Sequence, residues 1–303
     1  MDFAIVSDLD KRSAVPGKKP SWRAVLKRGT LVNDQGTYSV EWKDEVELKS
    51  AHGEAGRGME LSELVMWDGS LYTIDDRSGI VFEVLDPKGD ARVAPRFILM
   101  EGSGNADKGL KGEWMSVKDG NLIVGSFGKE YANADGTIKN LNNNWVAVIT
   151  PNGHREYQDW TPAYNTMRKK VGMSFPAYMI HEAGTWSEAL NKWVFMPRRM
   201  SKDSYNEDLD EKKGANSIFL LDGDFSSTKV STVGVRTPRR GFSSFKFVPG
   251  SNDRVVFALK SAENAASDTQ TTYMTVFTMD GTVLMPETEI AGGMKFEGLE
   301  FLL

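Results

Sequence analysis

Five short motifs recur along the chain at similar intervals, and each carries one residue with a side-chain oxygen. The oxygen-bearing residues are separated by 51, 69, 61 and 54 positions. They are Ser62, Glu113, Glu182, Ser243 and Glu297. Repeats of this length, with about four strands in each, are typical of β-propeller blades. A ring of five such blades would bring the five oxygens together on its axis.

Short apolar or alternating runs, most of them bounded by turn residues, predict strands throughout the chain. The ten clearest runs are Leu71–Ile74, Ile80–Val84, Leu122–Val124, Trp145–Ile149, Trp193–Met196, Ile218–Leu221, Phe245–Val248, Val255–Leu259, Met274–Phe277 and Val283–Met285. Asx-Gly pairs favour tight hairpin turns because both residues tolerate positive φ. Such pairs begin at Asp68, Asp119, Asp135, Asn152, Asp222 and Asp280.

One helix is predicted, with Thr161 as its N-cap, Pro162 as its first residue and an end at Gly172. The charge-dense segment Asp203–Lys213 is expected to be a solvated loop. The whole pattern predicts an all-β fold, a five-bladed β-propeller with a central calcium-binding channel. Residues 1–303 are expected to form a single domain, because large all-β folds run long. A β-sandwich is the alternative that strand content alone leaves open.

The repeated residues offer a donor set made only of oxygen atoms. Three carboxylates and two hydroxyls, or the backbone carbonyls of the two serines, suit a hard cation with many ligands such as Ca²⁺. Carboxylates that line a channel are poorly solvated and repel one another, so they need a cation. The predicted calcium ligands are Ser62, Glu113, Glu182, Ser243 and Glu297. For any one of them alone, a solvated surface position is the ordinary alternative.

Acidic and basic residues also lie at predicted strand ends, where functional residues are often found. Strand alternation places Asp8 and Asp10 on one face, and Asp76 ends another strand. Arginine and lysine beside glycines or strand ends can bind phosphate oxygens. The basic candidates are Arg57, Arg77, Lys129, Arg198 and Arg199. The competing interpretation is hairpin-capping acids and ordinary surface charges.

Composition and missing motifs exclude several classes of protein. The chain has no cysteine, which excludes disulfides, thiol catalysis and zinc–thiolate sites. The net charge of −5 argues against a nucleic-acid partner, and no apolar run is long enough to span a bilayer. Phosphate-binding P-loops and serine nucleophile elbows are missing as well. The first residues lack a basic region followed by a long apolar segment, so we expect a cytosolic protein or a mature chain whose signal peptide has been removed.

Taken together, the motifs resemble the calcium-activated nucleotidases, also called Cimex-type apyrases. The resemblance extends over nearly the whole chain and its motifs keep one order. They are SDLD at 7–10, GRGMELSEL at 56–64, LYTIDDRSG at 71–79, KGEW at 111–114, HE at 181–182, FMPRR at 195–199, KGAN at 213–216, GFSSFKF at 241–247 and FEGLEF at 296–301.

This resemblance implies a five-bladed propeller with one calcium held around the five repeated residues. It implies roles in catalysis for Asp8, Asp76 and Glu113. It also implies hydrolysis of nucleoside di- and triphosphates, of the ADP, GDP, UDP and ATP class, to lower nucleotides and inorganic phosphate. A secreted or ER/Golgi-lumen location follows from the same likeness, and a homodimer is compatible with it.

A mechanism can be written for such an enzyme. Asp8 or Asp76 would accept a proton from the attacking water or would order it. Basic side chains would stabilise the charge on the transferring phosphoryl group. The predicted substrate-binding residues are Asp10, Arg57, Arg77, Lys129, Tyr131, Arg198 and Arg199. Tyr131 would stack on the base, at a position where members of the family often have tryptophan.

Two other functions fit the same pattern. One is a calcium-dependent propeller hydrolase that acts on another ester, such as a lactone. The other is a non-enzymatic propeller that uses calcium as a structural staple and its faces for binding. The clustered arginines and aspartates at strand ends favour the nucleotidase. The sequence leaves open the base preference, the preference for di- or triphosphates, and whether Asp8 or Asp76 is the base.

Overall fold

The computed structural model describes residues 1–17, 19–133, 135–267 and 269–302. Across these ranges, strands form five four-stranded antiparallel sheets, and a short hairpin forms a separate two-stranded sheet. Each four-stranded sheet is one blade of a propeller. The structure thus confirms the predicted five-bladed β-propeller and excludes the sandwich.

The blades are numbered here from the N-terminus. Blade 1 contains β1 (Asp2–Asp8), β2 (Trp22–Asp34), β3 (Thr37–Ser50) and the last strand of the chain, β22 (Lys295–Phe301). Blade 2 contains β4 (Leu61–Trp67), β5 (Ser70–Asp75), β6 (Ile80–Leu85) and β7 (Arg92–Ile98). Blade 3 contains β8 (Trp114–Lys118), β9 (Asn121–Gly125), β12 (Trp145–Ile149) and β13 (Arg155–Asp159). The separate hairpin, β10 (Tyr131–Ala132) and β11 (Ile138–Asn140), lies between β9 and β12 in the chain.

The last two blades follow in chain order. Blade 4 contains β14 (Tyr178–Ser187), β15 (Lys192–Ser201), β16 (Ser217–Asp222) and β17 (Thr228–Thr232). Blade 5 contains β18 (Gly241–Phe247), β19 (Val255–Asn264), β20 (Thr269–Thr278) and β21 (Val283–Ile290). The helices are α1 (Thr161–Lys170) and α2 (Glu207–Asp210), with 3-10 turns at Asp10–Ser13, Asn142–Asn144 and Ala265–Ser267.

Blade 1 closes the ring by joining the two ends of the chain. Strand β22 is its innermost strand and pairs with β1 from Phe3 opposite Phe301 to Asp8 opposite Lys295. The innermost strands β4, β8, β14, β18 and β22 then contact one another around the axis. Residues from the two ends of the sequence, Asp8 and Glu297, therefore reach the same central channel.

The hydrophobic core is divided into five clusters, each between two neighbouring blades. Between blades 3 and 4, the buried ring of Trp114 lies 5.1 Å from Phe195 and 5.5 Å from Trp160. Between blades 5 and 1, Phe3 meets Phe257 edge to face at 5.0 Å. Burying apolar faces on both sides of every sheet holds the blades together and fixes the axial channel.

The predicted strands are all present, although the run ending at Val248 stops at Phe247. Helix α1 is also present, but Thr161 is its first residue and the N-cap position belongs to Trp160, which makes no side-chain cap. The backbone N–H of Thr161 donates instead to the carboxylate of Asp159 at 2.9 Å. The helices of the described ranges are too short and polar to cross a membrane.

Two further expectations were wrong in detail. Only the pairs beginning at Asp68 and Asp119 have positive φ at both residues, because the other Asx-Gly pairs lie in longer loops. The segment Asp203–Lys213 is mostly exposed, yet it contains helix α2. Asn206 caps that helix, so the solvated segment contains one short helical turn that the sequence did not predict.

Candidate active site and metal centre

Each predicted calcium ligand lies where the pairing of an innermost strand is interrupted. In β4, Leu61 pairs with Asp75 and Glu63 pairs with Ile74, so Ser62 is an extra residue with no partner in β5. The equivalent extra residues in β14, β18 and β22 are Glu182, Ser243 and Glu297. A β-bulge of this kind redirects the side chain of the extra residue and leaves that residue without a partner in the ladder.

Glu113 reaches the same arrangement by a different route. It directly precedes β8, and its backbone N–H donates to the carbonyl of Gly125 at 2.8 Å. Trp114 is also paired with Gly125, so two residues of the inner strand face one residue of β9. All five blades therefore have a local irregularity at the same level of the channel, which explains how side chains from five strands converge.

A cavity of about 150 Å³ lies at this level and is lined only by charged side chains. Seven are acids and five are bases, so the formal charge of the lining is −2. The lining residues are Asp8, Asp10, Arg57, Glu60, Asp76, Arg77, Lys111, Glu113, Glu182, Arg198, Lys295 and Glu297. One divalent cation would neutralise this lining.

Glu113, Glu182 and Glu297 form the centre of the cavity. One carboxylate oxygen from each lies within 4.8 Å of the other two, and all three residues are buried. Burial raises the pKa of Glu113 to about 8 against the lowering effect of Lys111, and burial also raises the pKa of Glu297 well above its usual range. Such carboxylates are more stable protonated or bound to a cation than free and ionised.

The remaining donors fit a hard cation too. The hydroxyl of Ser62 is buried and has no hydrogen-bond partner among the described residues. The hydroxyl of Ser243 donates to the carbonyl of Phe296 at 3.3 Å. An oxygen-only donor set with three carboxylates, an unpartnered hydroxyl and bulged backbone matches Ca²⁺, and offers neither nitrogen nor sulfur to softer metals.

Arg198 connects the carboxylates of this centre. Its guanidinium lies 2.5 Å from Glu182, 2.8 Å from Glu297 and 2.9 Å from Glu263. Burial alone would lower the pKa of Arg198, but the three carboxylates raise it well above its usual range. The arginine is therefore a permanent internal cation beside the candidate metal ligands.

The family model described as apyrase matches residues 9–302. The chain belongs to the apyrase family. It is 42% identical over 303 residues to soluble calcium-activated nucleotidase 1 of Rattus norvegicus, covering 99% of this chain and 73% of that protein. It is 41% identical to an apyrase of Cimex lectularius (99% of this chain, 82% of that protein) and 36% identical to apyrase apy-1 of Caenorhabditis elegans (98% and 83%). The family resemblance inferred from the motifs is confirmed.

In this apyrase-family chain the two candidate base residues differ in their hydrogen bonding. Both oxygens of Asp8 are engaged, one by the N–H of Asp10 at 2.7 Å and the other by Lys295 at 2.6 Å. Asp76 is 7% exposed; one of its oxygens accepts from Lys111, and the other is buried without a partner among the described residues. Asp76 therefore has the oxygen that is free to accept a proton.

The predicted phosphate-binding arginines also differ. Arg57 is engaged by Glu60, with contacts of 2.7 and 2.5 Å, and lies 3.6 Å from Asp10. Arg77 lines the cavity but forms no ion pair with any described residue, and its Nε is buried without a partner. Arg77 is consequently the cavity cation most available to an incoming anion.

Three predicted substrate-binding residues lie outside the cavity lining. Lys129 lies over the ring of Tyr205, 4.2 Å from its centroid. Arg199 is buried, with its Nε 3.7 Å from Asp210. The hydroxyl of Tyr131 accepts a hydrogen bond from Lys108 at 2.9 Å. The other four predicted substrate-binding residues line the axial cavity, and these three lie beside it.

Sequence reasoning missed Lys295, Glu60 and Glu263. Lys295 is 6% exposed and lies 2.6 Å from Asp8, 3.3 Å from Glu263 and 3.6 Å from Glu297. Burial alone would lower its pKa, but Asp8, Glu297 and Glu263 together raise it well above the usual range. The available signal was its place two residues before Glu297, on the same face of a strand.

Gly125 fixes the position of Glu113, and this is testable. A Cβ at Gly125 would lie 2.1 Å from the ring of Trp114, which is fully buried. Gly125→Ala is therefore expected to lower the free energy of unfolding by about 1–3 kcal/mol, the usual cost of overpacking, and to weaken calcium binding. Urea unfolding and calorimetry would measure the two effects.

Gly17→Ala is the matched control, because its Cβ would meet nothing closer than 4.0 Å. That variant should change stability by no more than about 0.5 kcal/mol. Wild-type stability and calcium affinity in Gly125→Ala would show that the close contact with Trp114 does not position the site.

Proposed function

We propose that this chain hydrolyses nucleoside di- and triphosphates to lower nucleotides and inorganic phosphate, and that the reaction depends on calcium. The observation that carries the proposal is the axial cavity, whose lining is entirely charged and brings three buried carboxylates together. The names of its relatives, a calcium-activated nucleotidase and two apyrases, support the same activity.

The charge of the cavity accounts for the expected calcium requirement. With all of its acids ionised, as they are when they bind a cation, the lining has a formal charge of −2, which one divalent cation offsets before a polyphosphate binds. Glu113, Glu182 and Glu297 would hold the cation, together with oxygens from Ser62 and Ser243. When bound, calcium supplies charge neutralisation at the phosphate and a template for the attacking water.

Side chains of this protein would accept the proton from the attacking water and bind the phosphate. Asp76 accepts the proton of the attacking water on its unpartnered oxygen, while Lys111 holds the other oxygen. Lys111 also lies 2.7 Å from Glu113, so it ties the base to the metal centre. Arg77 binds phosphoryl oxygens as negative charge redistributes over them.

Asp8 has a positioning role in this scheme. Lys295 and the N–H of Asp10 fix both of its oxygens, so Asp8 helps to keep Lys295 between Asp8 and Glu297. No covalent intermediate is required, since a single displacement by water releases inorganic phosphate and the lower nucleotide directly.

The decisive assay is phosphate release from ADP, UDP, GDP, ATP and AMP, with calcium, with magnesium and with a chelator. We expect rapid release from di- and triphosphates in calcium, and little in the other conditions, because magnesium demands a smaller octahedral site. AMP should hardly react, since binding energy from a second phosphate is needed to position the terminal one.

Other outcomes would support other functions. Full activity in magnesium with calcium rigorously removed, or rapid phosphate release from AMP, would contradict the proposal. Hydrolysis of neutral esters without phosphate release would favour a different hydrolase. Calcium binding with every nucleotide left intact would favour a non-enzymatic propeller.

The location follows from the same proposal, and the assembly is a separate question that needs its own measurement. A secreted or luminal location suits an enzyme that needs free calcium, because sites in extracellular proteins operate at high calcium concentrations. Secretion of the native full-length protein, followed in culture medium, would test the location. Sedimentation with and without calcium would test whether a homodimer forms.

A further inference from the structure

A buried carboxylate outside the cavity lining lies next to a candidate metal ligand in the chain. Glu63 directly follows Ser62, and its side chain is completely buried. It is not one of the residues that line the axial cavity. Burying a carboxylate is costly unless its oxygens accept hydrogen bonds or face a cation. The role of Glu63 should therefore be visible in the groups that its oxygens contact.

One oxygen of Glu63, Oε1, is contacted from three blades. It accepts hydrogen bonds from the backbone N–H of Leu64 in blade 2 at 2.9 Å and from the hydroxyl of Ser244 in blade 5 at 2.8 Å. The backbone N–H of Leu299 in blade 1 also donates to it, at 3.4 Å. The ammonium of Lys246, likewise in blade 5, lies 3.4 Å away. A single buried oxygen therefore joins the innermost strands of blades 5, 1 and 2.

The bond to Ser244 joins two blades that are not neighbours in the ring. Blade 1 lies between blades 5 and 2, because its innermost strand β22 contacts both β18 and β4. In β22, a Cβ on Gly298 would lie 2.7 Å from the backbone carbonyl carbon of Glu63 and 2.8 Å from the backbone nitrogen of Leu64. The missing side chain lets β22 lie directly against β4, which brings Glu63 within reach of blade 5.

The strands are joined immediately after their bulges. Glu63, Ser244 and Gly298 are each the first paired residue after a bulge. The extra residues directly before them are three of the five candidate calcium ligands. They are Ser62, Ser243 and Glu297. Because an extra residue has no ladder partner of its own, its direction depends on how the paired residues beside it are held.

We propose that Glu63 is a positioning residue for the metal centre, which joins the strands just after three bulges and so fixes the directions of Ser62, Ser243 and Glu297. This inference rests on the proposed calcium dependence of the axial site. Glu63 acts through the hydrogen bonds that it accepts. Partners that orient metal ligands from outside the donor set commonly change metal affinity when they are removed.

Direct coordination of the metal is the competing role for Glu63. Its other oxygen, Oε2, is buried and has no hydrogen-bond partner among the described residues. A metal ligand would act through its negative charge, whereas a positioning residue acts through accepted hydrogen bonds. Glu63→Gln removes the charge and keeps an acceptor oxygen, while Glu63→Leu removes both. These two variants therefore separate the two roles.

The test measures calcium affinity by calorimetry and stability by urea unfolding without calcium. Glu63→Leu should weaken calcium binding about 10–100-fold, the usual effect of losing an outer partner of a metal ligand. Glu63→Gln should weaken it by less than about tenfold, because the amide oxygen still accepts from Leu64 and Ser244. Both variants should be less stable than the wild type, since each leaves the mostly buried Lys246 without this ion pair.

Glu300→Leu is the matched control for loss of a carboxylate that joins blades 1 and 2. Glu300 accepts hydrogen bonds from the backbone N–H groups of Met66 at 3.1 Å and Phe301 at 2.8 Å, and it lies three positions beyond Glu297. Its replacement should lower stability, because those N–H groups lose their acceptor, and should leave calcium affinity unchanged. Stability and calcium affinity therefore change together only at Glu63→Leu.

A smaller change tests the same role if Glu63→Leu does not fold. Ser244→Ala removes only the bond from blade 5 to Glu63, so it should weaken calcium binding about 2- to 10-fold, the contribution of one hydrogen bond. Ser261→Ala is its control, because the hydroxyl of Ser261 is buried in the same blade without a partner among the described residues. That variant should keep wild-type calcium affinity.

Wild-type calcium affinity in Glu63→Leu or Ser244→Ala, or an equal loss in Glu300→Leu, would overturn the positioning role. Equal losses in Glu63→Gln and Glu63→Leu would overturn it too, and would make Glu63 a metal ligand. Phosphate release is measured separately. If the wild type bound calcium but released no phosphate from any nucleotide, the proposed hydrolysis would fail and the calcium affinities alone would decide the role of Glu63. If the wild type bound no calcium, that role would be contradicted as well.

Discussion

Replacing Glu297 with glutamine should weaken calcium binding by at least about 100-fold, because one charge about 4 Å away contributes about 4 kcal/mol at an effective dielectric near 20. Glu297 is one of three carboxylates whose oxygens converge within 4.8 Å. Glutamine keeps the shape of the side chain and removes its charge. Activity should fall with calcium occupancy at concentrations that saturate the wild-type enzyme.

The same variant should keep its stability in the absence of calcium. Burial raises the pKa of Glu297 well above its usual range, so the metal-free fold favours an uncharged side chain at this position. Arg198 also keeps two other carboxylate partners, Glu182 and Glu263. Melting temperatures with and without calcium would therefore separate the two states: the metal-free value is kept, and the increase caused by calcium is lost.

Glu300→Gln is the matched control. Glu300 lies on the same innermost strand and its pKa is also raised by burial, but it accepts hydrogen bonds from the backbone N–H groups of Met66 and Phe301 outside the cavity. Its replacement should leave calcium affinity unchanged. Wild-type calcium binding in Glu297→Gln, or an equal loss in Glu300→Gln, would remove Glu297 from the metal centre.

Spacing predicted the ring and the level of the site because a propeller repeats its geometry once per blade. Residues at the same place in each innermost strand must lie at the same height, so an oxygen-bearing residue repeated five times was informative. The bulges at Ser62, Glu182, Ser243 and Glu297 could not be predicted this way. A bulge depends on pairing with the next strand, and strand register is a tertiary property.

The cations that balance the carboxylates were harder to predict than the carboxylates. Lys295 pairs with Asp8, which is almost the whole sequence away, and Glu263 reaches both Arg198 and Lys295 from blade 5. The spacing of two residues from Glu297 places Lys295 on the same predicted face of the strand, but that spacing alone does not distinguish a buried lysine from an exposed one. Burial and charge pairing across blades are consequences of ring closure, so they become visible only in the folded chain.

Replacing Asp76 with asparagine should lower kcat about 10²–10⁴-fold, the range for loss of a general base, while calcium binding stays nearly intact. Asp76 is not one of the three converging carboxylates, so the metal centre keeps its donors. Asparagine still accepts a hydrogen bond from Lys111 through its amide oxygen. It has no ionised oxygen in place of the unpartnered oxygen of Asp76, so it cannot accept a proton from water.

Asp8→Asn is the comparison that assigns the base. Both oxygens of Asp8 are already bonded, to Asp10 and Lys295, so its replacement should reduce kcat by only about tenfold, through misplacement of Lys295. Rates at saturating calcium and nucleotide would be compared with calcium affinities from calorimetry. Equal losses of kcat in Asp76→Asn and Asp8→Asn would contradict the assignment of Asp76 as the base. Loss of calcium affinity in Asp76→Asn, as in Glu297→Gln, would instead place Asp76 among the metal ligands.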